Sequence, residues 1–285
     1  MHVLTIDFEC WAQVVTGEAS GQPRAVGRGA LERATDQLLQ SLDKHRARAP
    51  IFVRGVPARD FPDVAARVAA AGHEIGCHSD RHLPLTRFSP DGLARELRAG
   101  KAAVEAATGR VPKGFRAPYF SIGRKNLWAL TAIADAGFEY DSSIFPIVHR
   151  RYGIPGWPRE PRRVAGGRLV ELPLATLECG RLRLPVAGGG YWRALPQVAV
   201  LRALDALASA GRPGVLYLHP YQLDPVAPEA VPGPLPWRGR LHAGAFRLAQ
   251  SVGRGAGVAL LDAVLERFQF ETAGELAARC QVTPA

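Results

Sequence analysis

Short apolar segments rich in β-branched residues alternate with longer helical patterns along most of the chain. The strand-like segments cover residues 2–6, 51–53, 73–77, 114–116, 138–140, 168–172 and 214–218, and the helical patterns cover 29–44, 61–71, 90–108, 125–136, 196–210 and 260–268. This alternation predicts an α/β fold in which helices pack outside a mostly parallel sheet. About seven core strands favour a barrel over an open sheet.

The length of 285 residues accommodates one large α/β domain or two modest ones. Proline-rich stretches at 154–163 and 220–236 indicate loops, and neither is long enough to mark a domain boundary. We therefore predict a single domain, residues 1–285, with an elaborated C-terminal third. Residues 150–285 are the C-terminal part of this domain and not a separate one.

The chain is strongly basic, with 36 Lys and Arg residues against 26 Asp and Glu residues and a net charge of +10. The basic residues are mostly scattered arginines, so we expect no nucleic-acid partner. A basic surface that faces lipid or an anionic sugar carrier is the preferred interpretation, and it predicts peripheral membrane contact.

The N-terminal and cysteine patterns favour a cytoplasmic protein, at the inner face of the membrane. The first strand starts without a preceding signal-peptide pattern, and no apolar run approaches the roughly 18 residues that cross a bilayer. Cys10, Cys77, Cys179 and Cys280 are widely spaced, form no CxxC pair and fit a reducing compartment. The sequence does not indicate the oligomeric state.

The first apolar strand ends in two carboxylates, in the segment LTIDFECWAQ. Side chains alternate faces along a strand, so Asp7 and Glu9 point to one side and Phe8 points to the other. Two buried carboxylates are costly unless a cation compensates their charge. The rest of the chain is therefore expected to supply a positively charged partner.

A pair of histidines lies in the segment GHEIGCHSDRHLPL, residues 72–85. His78 and His82 are four residues apart, so on a helical turn both imidazoles would project from one face. Two imidazoles and one carboxylate form a common three-ligand metal site with open positions for water or substrate. The spacing alone is also compatible with two polar loop histidines. Asp7 and Glu9 favour the metal site because they supply the carboxylate that the pair lacks.

Three further motifs place polar residues after predicted strands. In GFRAPYFSIG, Arg116 can pair with a buried carboxylate, Pro118 stiffens the turn, and the backbone N–H of Tyr119 can point at an oxyanion. Asp141 of EYDSSIFP and His219 of GVLYLHPYQLD also follow strands directly. Each motif also has a purely structural interpretation. Arg116 could be a surface arginine, Asp141 an Asx-type cap, and His219 a half-buried histidine.

All these polar residues lie at or just after the carboxyl ends of predicted strands. In a parallel barrel those ends meet at one face, where active sites are assembled. We therefore predict a single active site that contains Asp7, Glu9, His78, His82, Arg116, Asp141 and His219.

The ordered set LTIDFE, HSDRH, FRAPYF, YDSSIFP and LYLHP resembles the polysaccharide deacetylase family, also called carbohydrate esterase family 4. More closely, SIFPIVHRRYGIPGWPR, GGGYWRALP and ERFQF are similar to the exosortase-associated polysaccharide deacetylases of bacterial exopolysaccharide loci. The resemblance covers nearly the whole chain and implies that residues 1–285 form one catalytic domain. It implies a distorted (β/α)7 barrel that hydrolyses N-acetyl groups of amino sugars with a divalent metal, usually zinc; Co2+, Ni2+, Mn2+ and Fe2+ stay open.

The resemblance also implies roles for the motif residues. It makes His78 and His82 metal ligands and Asp7 the general base, which Arg116 orients. It places the oxyanion site at Tyr119 with Pro118. It makes His219 the general acid and Asp141 the residue that tunes this acid. The common motif has two adjacent aspartates, whereas this chain has Phe8 at the second position. The strand alternation makes Glu9 the third ligand instead. Cys10 is interpreted as a supporting residue, with thiolate ligation as the alternative.

The leading hypothesis is a metal-dependent carbohydrate N-deacetylase that acts on an exopolysaccharide or on a lipid-linked or nucleotide-linked sugar precursor. The Asp-x-Glu pattern also occurs in hydrolases of small cyclic amides, so an amidohydrolase or deformylase is the alternative. A catalytically inactive glycan-binding protein is a third hypothesis, against which the complete set of ligands, base and acid argues. An open cleft lined by Trp157, Tyr191, Trp192 and Trp237 would favour a sugar, and a small closed pocket would favour a cyclic amide.

Overall fold

The strands of the protein form one curled sheet and a separate hairpin. The computed structural model describes residues 1–12, 15, 27–180, 182–226, 237–251 and 253–282, without the side chains of 242, 249, 254, 281 and 282. The strands are β1 (Val3–Phe8), β2 (Pro50–Val53), β3 (Glu74–Cys77), β4 (Gly114–Phe115), β5 (Tyr140–Asp141), β6 (Arg162–Val164), β7 (Leu169–Glu171), β8 (Thr176–Cys179), β9 (Leu182–Pro185) and β10 (Val215–Leu218). Eight of them lie in the order β10-β1-β2-β3-β4-β5-β7-β6, and β8 pairs with β9.

Seven strands of the curled sheet are parallel, from β10 through β1–β5 to β7, and β6 lies antiparallel to β7 at one edge. The chain after β7 returns to the other edge, where Leu174 bridges Val215 of β10. The sheet therefore curls into the predicted α/β fold with a distorted barrel of seven parallel strands. Strand β10 comes from the C-terminal half and pairs with β1 from Val3 to Ile6, so both halves of the chain build one sheet.

Helices connect these strands and pack against the sheet and one another. They are α1 (Arg28–Lys44), α2 (Gly55–Asp60), α3 (Pro62–Ala70), α4 (Pro90–Thr108), α5 (Trp128–Asp135), α6 (Gly190–Ala194), α7 (Gln197–Ser209), α8 (Trp237–Ser251), α9 (Gly257–Arg267) and α10 (Ala273–Val282). Within the described residues, no helix has the length and apolar content needed to cross a membrane.

Helix α4 shows how local sequence sets the ends of an element. Ser89 caps its N-terminus by accepting a hydrogen bond from the amide of Gly92, and Pro90 occupies the first turn. Gly109 ends the helix with a φ of 66°, a left-handed conformation that glycine adopts at little cost. The buried face includes Leu93, Leu97, Gly100 and Val104, and also the carboxylate of Glu96. Burial of each leucine contributes roughly 2 kcal/mol to the stability of the fold. The predicted helix bounds 90–108 are confirmed.

Several elements were not expected from the sequence. The predicted loop 154–163 runs into β6, and the β8–β9 hairpin and helices α2, α6, α8 and α10 were also missed. The strands, α2 and α6 are too short to show a clear apolar period. Of the predicted loop 220–236, residues 220–222 form a 3-10 turn, and residues 227–236 lie outside the described part of the chain. The other predicted elements are present, with ends shifted by at most three residues.

Candidate active site

Glu9, His78 and His82 form a buried cluster just after the carboxyl ends of β1 and β3. Nε2 of His82 lies 2.8 Å from Oε2 of Glu9, and Nε2 of His78 lies 3.9 Å from the same oxygen. One ligand atom of each residue lies within 4.8 Å of the other two. Oε2 of Glu9 is buried and faces both imidazole rings. Two imidazole nitrogens and a carboxylate oxygen that converge in this way fit a divalent cation such as zinc.

Hydrogen bonds hold the far ring nitrogens of both histidines. Nδ1 of His78 lies 2.9 Å from the carbonyl oxygen of Arg116, and Nδ1 of His82 lies 3.1 Å from the hydroxyl oxygen of Tyr119. Because a carbonyl only accepts, His78 carries its proton on Nδ1 and presents the lone pair of Nε2 to the cluster. Burial lowers the pKa of His78 to about 4, so the ring is neutral at pH 7, which is the form that binds a metal.

Two opposing effects act on Glu9. Burial by itself raises the pKa of this carboxyl, but the neighbouring His82, His219 and His78 outweigh it and hold the pKa far below its usual range. Glu9 is therefore ionised at neutral pH. A carboxylate with this charge in a buried position is the expected partner of a cation.

The histidines converge through an irregular loop between β3 and α4 and not through a helical turn, so the helical expectation was wrong. Ser79 and His82 have φ values of 63° and 62°, which cost residues other than glycine roughly 1 kcal/mol or more. The loop wraps around the buried carboxylate of Glu96. This carboxylate accepts hydrogen bonds from Oγ of Ser79 at 2.8 Å, the amide of Asp80 at 3.2 Å, and the amide and Nε of Arg81 at 2.7 Å and 2.8 Å. These bonds stabilise the strained loop.

Asp7 lies beside the cluster and is paired with Arg116. Nη1 of Arg116 donates to Oδ1 of Asp7 at 2.8 Å and to Oγ1 of Thr5 at 2.5 Å. Its Nε and Nη2 donate to the carbonyl and hydroxyl oxygens of Ser142, both at 2.8 Å. The guanidinium has no exposed surface and lies 4.4 Å from the ring centre of Phe52. The pairing with a buried carboxylate that the sequence predicted is present, and it restricts the orientation of Asp7.

His219 faces both carboxylates from the end of β10. Its Nε2 lies 3.4 Å from Oε1 of Glu9 and 4.0 Å from Oδ2 of Asp7. Its Nδ1 lies 3.3 Å from Oε1 of Gln222, and its ring stacks on Tyr221 with the ring centres 4.8 Å apart. The side chain is 18% exposed, so it lies between the buried cluster and the solvent. This is a suitable position for a residue that exchanges protons with a bound substrate.

Asp141 lies at the end of β5, in contact with Ser143 and Glu171. Its Oδ1 accepts from Oγ of Ser143 at 2.7 Å, and that hydroxyl oxygen accepts from the amide of Ala117 at 2.8 Å. Burial raises the pKa of Asp141, and burial together with the charge of Asp141 raises the pKa of Glu171 well above its usual range. The contacts of Asp141 within the described structure do not include His219. Asp141 instead supports the backbone after β4.

Pro118 and Tyr119 form a 3-10 turn just after β4. Tyr119 has a φ of 56°, again in the left-handed region, and its ring centre lies 4.6 Å from that of His82. The sequence argument used only the backbone N–H of Tyr119 and missed the contact of its hydroxyl with His82. The oxyanion role of the N–H stays a prediction.

A cavity of about 920 Å³ adjoins the cluster. Its lining includes Asp7, Glu9, His78, His82 and His219, the aromatic residues Tyr119, Phe120, Tyr152, Tyr217, Tyr221 and Phe246, and the arginines Arg54, Arg81, Arg87 and Arg151. Phe8, between the two carboxylates, is buried in the hydrophobic core. The cavity is large and combines aromatic with basic side chains.

The aromatic residues named from the sequence are not those that line this cavity. Trp192 is buried and donates to the carbonyl of Val186 at 2.9 Å, and Trp237 is exposed on α8. Trp157 is half-buried beside Arg162. The hydroxyl oxygen of Tyr191 lies 2.9 Å from that of Tyr152, which lines the cavity. The contacts of an aromatic residue are set by chain packing, which sequence position does not reveal.

The two buried cysteines lie outside the metal cluster that the described residues form. Sγ of Cys10 lies 3.5 Å from the carbonyl oxygen of Gly27. Cys77 is fully buried, as expected of a core residue, and burial raises the pKa of its thiol to about 12. A thiol with such a pKa is not a candidate ligand at neutral pH.

Sequence reasoning also missed Arg54, Glu96 and Glu171. Arg54 is fully buried and lines the cavity. Its Nη2 donates to the carbonyl of Arg81 at 3.0 Å, while Nε and Nη1 have no hydrogen-bond partner among the described residues. Burial lowers the pKa of Arg54, and the charge of Glu9 acts in the opposite direction. The sequence did carry a signal for Arg54, because this residue directly follows strand β2, just as Arg116 directly follows strand β4. Glu96 lies inside α4, where sequence gives no such signal, whereas Glu171 is the last residue of β7 and does stand at a strand end.

Comparison with known structures supports the fold described above. A crystal structure from Mycobacterium smegmatis, described as a candidate polysaccharide deacetylase, superposes with a TM-score of 0.62 at 20% identity, over 98% of this chain and 90% of that one. The match extends to the whole barrel. At this identity the likeness concerns the fold.

Sequence comparison relates the two parts of the chain to different family models. Residues 26–140 match the family model described as polysaccharide deacetylase, and residues 142–278 match the one described as domain of unknown function (DUF3473). The N-terminal part of the chain is therefore similar to polysaccharide deacetylases, and the C-terminal part is similar to the domain of unknown function.

Curated relatives match a shorter segment. A peptidoglycan-N-acetylglucosamine deacetylase of Bacillus cereus is 30% identical over 105 residues, which are 37% of this chain and 38% of that protein. A chitooligosaccharide deacetylase of Rhizobium leguminosarum bv. trifolii is 35% identical over 83 residues, 29% of this chain and 39% of the relative. The chain thus spans about two fifths of the length of these relatives.

Proposed function

We propose that this protein is a metal-dependent hydrolase that removes N-acetyl groups from amino sugars of a bacterial exopolysaccharide or its precursor. The observation that carries the proposal is the convergence of Glu9, His78 and His82 beside the Asp7–Arg116 pair, with His219 within 4.0 Å of both carboxylates. The match of residues 26–140 to the polysaccharide deacetylase model supports the same chemistry.

Each residue has a chemical task in this proposal. A divalent cation held by Glu9, His78 and His82 would polarise the acetyl carbonyl and make water more acidic. Asp7 accepts the proton of the attacking water, because Arg116 holds one of its oxygens and leaves Oδ2 directed toward His219.

His219 completes the reaction by donating a proton to the departing amine, which is a poor leaving group without it. Its exposure to the cavity allows it to reach a substrate nitrogen. The backbone N–H of Tyr119 is the proposed donor to the developing oxyanion.

The cavity supports the proposed substrate class. A volume of about 920 Å³ is at the upper end of the range for ligand sites and accommodates more than a small cyclic amide. Aromatic rings offer stacking surfaces for sugars, and arginines attract the phosphates of a lipid-linked or nucleotide-linked precursor. Two of the curated relatives are named as deacetylases of peptidoglycan N-acetylglucosamine and of chitooligosaccharides. We place the reaction at the cytoplasmic face of the membrane and in exopolysaccharide biosynthesis.

The deciding experiment measures acetate release from N-acetylated oligosaccharides and lipid-linked precursors, and ring opening of a small cyclic amide, with and without added metal ions. We expect acetate release from the glycans, abolished by a chelator and restored by zinc or another divalent ion. Ring opening of the cyclic amide without acetate release from either glycan, or hydrolysis of none of the three substrates, would overturn the proposal.

Two variants assign the roles. Asp7→Asn should lower kcat by about 10²–10⁴-fold while bound metal stays stoichiometric, and His78→Ala should lose the metal. The exposed Asp43→Asn serves as the matched control and should behave like wild type. Normal turnover by Asp7→Asn, or stoichiometric metal in His78→Ala, contradicts the assignments.

A further inference from the structure

Helix α8 has an inner face that is part of the candidate active site. Gly239, Ala243 and Gln250 are buried on this face, and Phe246 packs against Trp11 and Tyr221 with ring centres 6.4 Å and 6.2 Å apart. Phe246 and Gln250 both line the cavity beside the cluster. The helix is therefore one wall of the cavity.

The outer face of α8 carries three large apolar side chains. Trp237, Leu241 and Leu248 are 61%, 66% and 72% exposed. Intervals of four and seven residues place them on one side of a helix, opposite the buried face. Three large apolar side chains aligned on an exposed helix surface are unfavourable in water unless another apolar phase covers them.

Basic residues flank this apolar stripe. Arg238, Arg240 and Arg247 are exposed on α8, and the guanidinium of Arg238 lies 5.1 Å from the ring centre of Trp237. Residues 230–261 contain four arginines and no aspartate or glutamate. A helix with an apolar stripe, an interfacial tryptophan and an arginine rim has the features of helices that lie in the surface of an anionic bilayer.

We propose that the outer face of α8 docks on an anionic lipid bilayer. Trp237, Leu241 and Leu248 enter the boundary between headgroups and acyl chains, and the arginines bind lipid phosphates. Charge complementarity favours this partner, because a rim of one sign matches an anionic lipid surface and the chain as a whole carries +10. Since the opposite side of α8 lines the cavity, docking holds the cavity close to the membrane surface. The proposal does not depend on the reaction, because lipid binding is measured without substrate.

The test is co-sedimentation of the full chain with vesicles of phosphatidylcholine alone and of phosphatidylcholine mixed with phosphatidylglycerol. Wild type should bind the mixed vesicles, and binding should weaken as salt is raised. The triple variant Trp237→Ser, Leu241→Ser, Leu248→Ser should bind about tenfold less tightly or worse. Its matched control is Val111→Ser, Leu182→Ser, Val198→Ser, which removes three exposed apolar side chains elsewhere and should bind like wild type.

A second pair of variants tests the arginine rim. Arg238→Gln, Arg240→Gln should bind mixed vesicles several-fold less tightly, whereas Arg98→Gln, Arg110→Gln on an exposed surface away from α8 should not. Circular dichroism checks that each variant is folded. The proposal is overturned if the wild-type protein binds neither kind of vesicle, or if the α8 triple variant binds like its control. The proposal is also overturned if light scattering shows a dimer for the wild-type protein and a monomer for the triple variant, because a second protein copy would then cover the outer face of α8.

Discussion

Nη1 of Arg116 donates a 2.8 Å hydrogen bond to Oδ1 of Asp7, between residues that lie 109 positions apart in the chain. Both side chains are almost completely withdrawn from solvent. A buried carboxylate that loses its cation is left uncompensated, which is more costly than the absence of the pair. The pair therefore links the stability of the barrel to the orientation of the proposed base.

Replacing Arg116 alone should destabilise the folded protein strongly. We expect Arg116→Met to lower the free energy of unfolding of the metal-free protein by about 3–5 kcal/mol, because it leaves the buried Asp7 carboxylate without its cationic partner. The double variant Arg116→Met, Asp7→Asn should recover part of this loss, since no charge is left unpaired. Urea denaturation of the two single variants and the double variant measures the coupling. Strictly additive losses would show that the charge pair is not the source of the destabilisation.

Glu96→Gln should weaken metal binding without unfolding the protein. An amide offers one acceptor oxygen where the carboxylate offers two, and its N–H2 group faces the donors of Ser79 and Arg81. The loop that carries His78 and His82 then relaxes from its positive φ values, and we expect zinc affinity to fall by about 10–100-fold. Competition with a chromogenic chelator gives the affinity.

The matched control for that loop experiment is Glu105→Gln, an exposed glutamate on the same helix. It should leave zinc affinity unchanged. If both variants bind zinc like wild type, Glu96 does not position the ligands.

Tyr119→Phe separates the two tasks assigned to Tyr119. It removes the hydroxyl that lies 3.1 Å from Nδ1 of His82 and keeps the backbone N–H. We expect zinc affinity to fall by about tenfold through loss of ring orientation, with little change in kcat once metal is saturating. Tyr152→Phe, which removes another cavity hydroxyl, is the control. A fall in kcat at saturating metal with normal affinity would assign the hydroxyl to catalysis instead.

The buried His2 makes stability depend on pH. Burial, aided by the charge of the N-terminus, lowers the pKa of His2 to about 4, and its Nδ1 accepts a 3.0 Å hydrogen bond from the amide of Gly214. As pH falls from about 6.5 to about 4, the unfolded chain binds a proton that the folded protein excludes, so stability falls. This contribution is complete above pH 6.5 and amounts to about 2–3 kcal/mol.

Urea denaturation at several pH values between 4 and 7 measures this dependence, and His2→Gln should flatten it. Part of the slope should remain, because burial also lowers the pKa of His73 to about 4. Equal slopes in wild type and His2→Gln would show that His2 is not the titrating group.

Most of the fold could be predicted because its determinants are local. The ends of α4 follow from Ser89 and Gly109, and the burial of β1 follows from the run VLTIDF, since capping and periodicity act over a few residues. Predictions failed at β6, β8 and β9, whose residues acquire a β conformation from their neighbours and not from their own pattern.

For the site, the sequence by itself determined which residues stand at the carboxyl ends of strands, and hence that Asp7, Glu9 and His219 meet, because a parallel barrel gathers those ends at one face. Only the tertiary structure decided how they are held. The position of the Glu96 carboxylate beneath the histidine loop and the raised pKa of Glu171 beside Asp141 depend on contacts between separate elements. Such contacts have no period and no fixed spacing, so packing alone creates them.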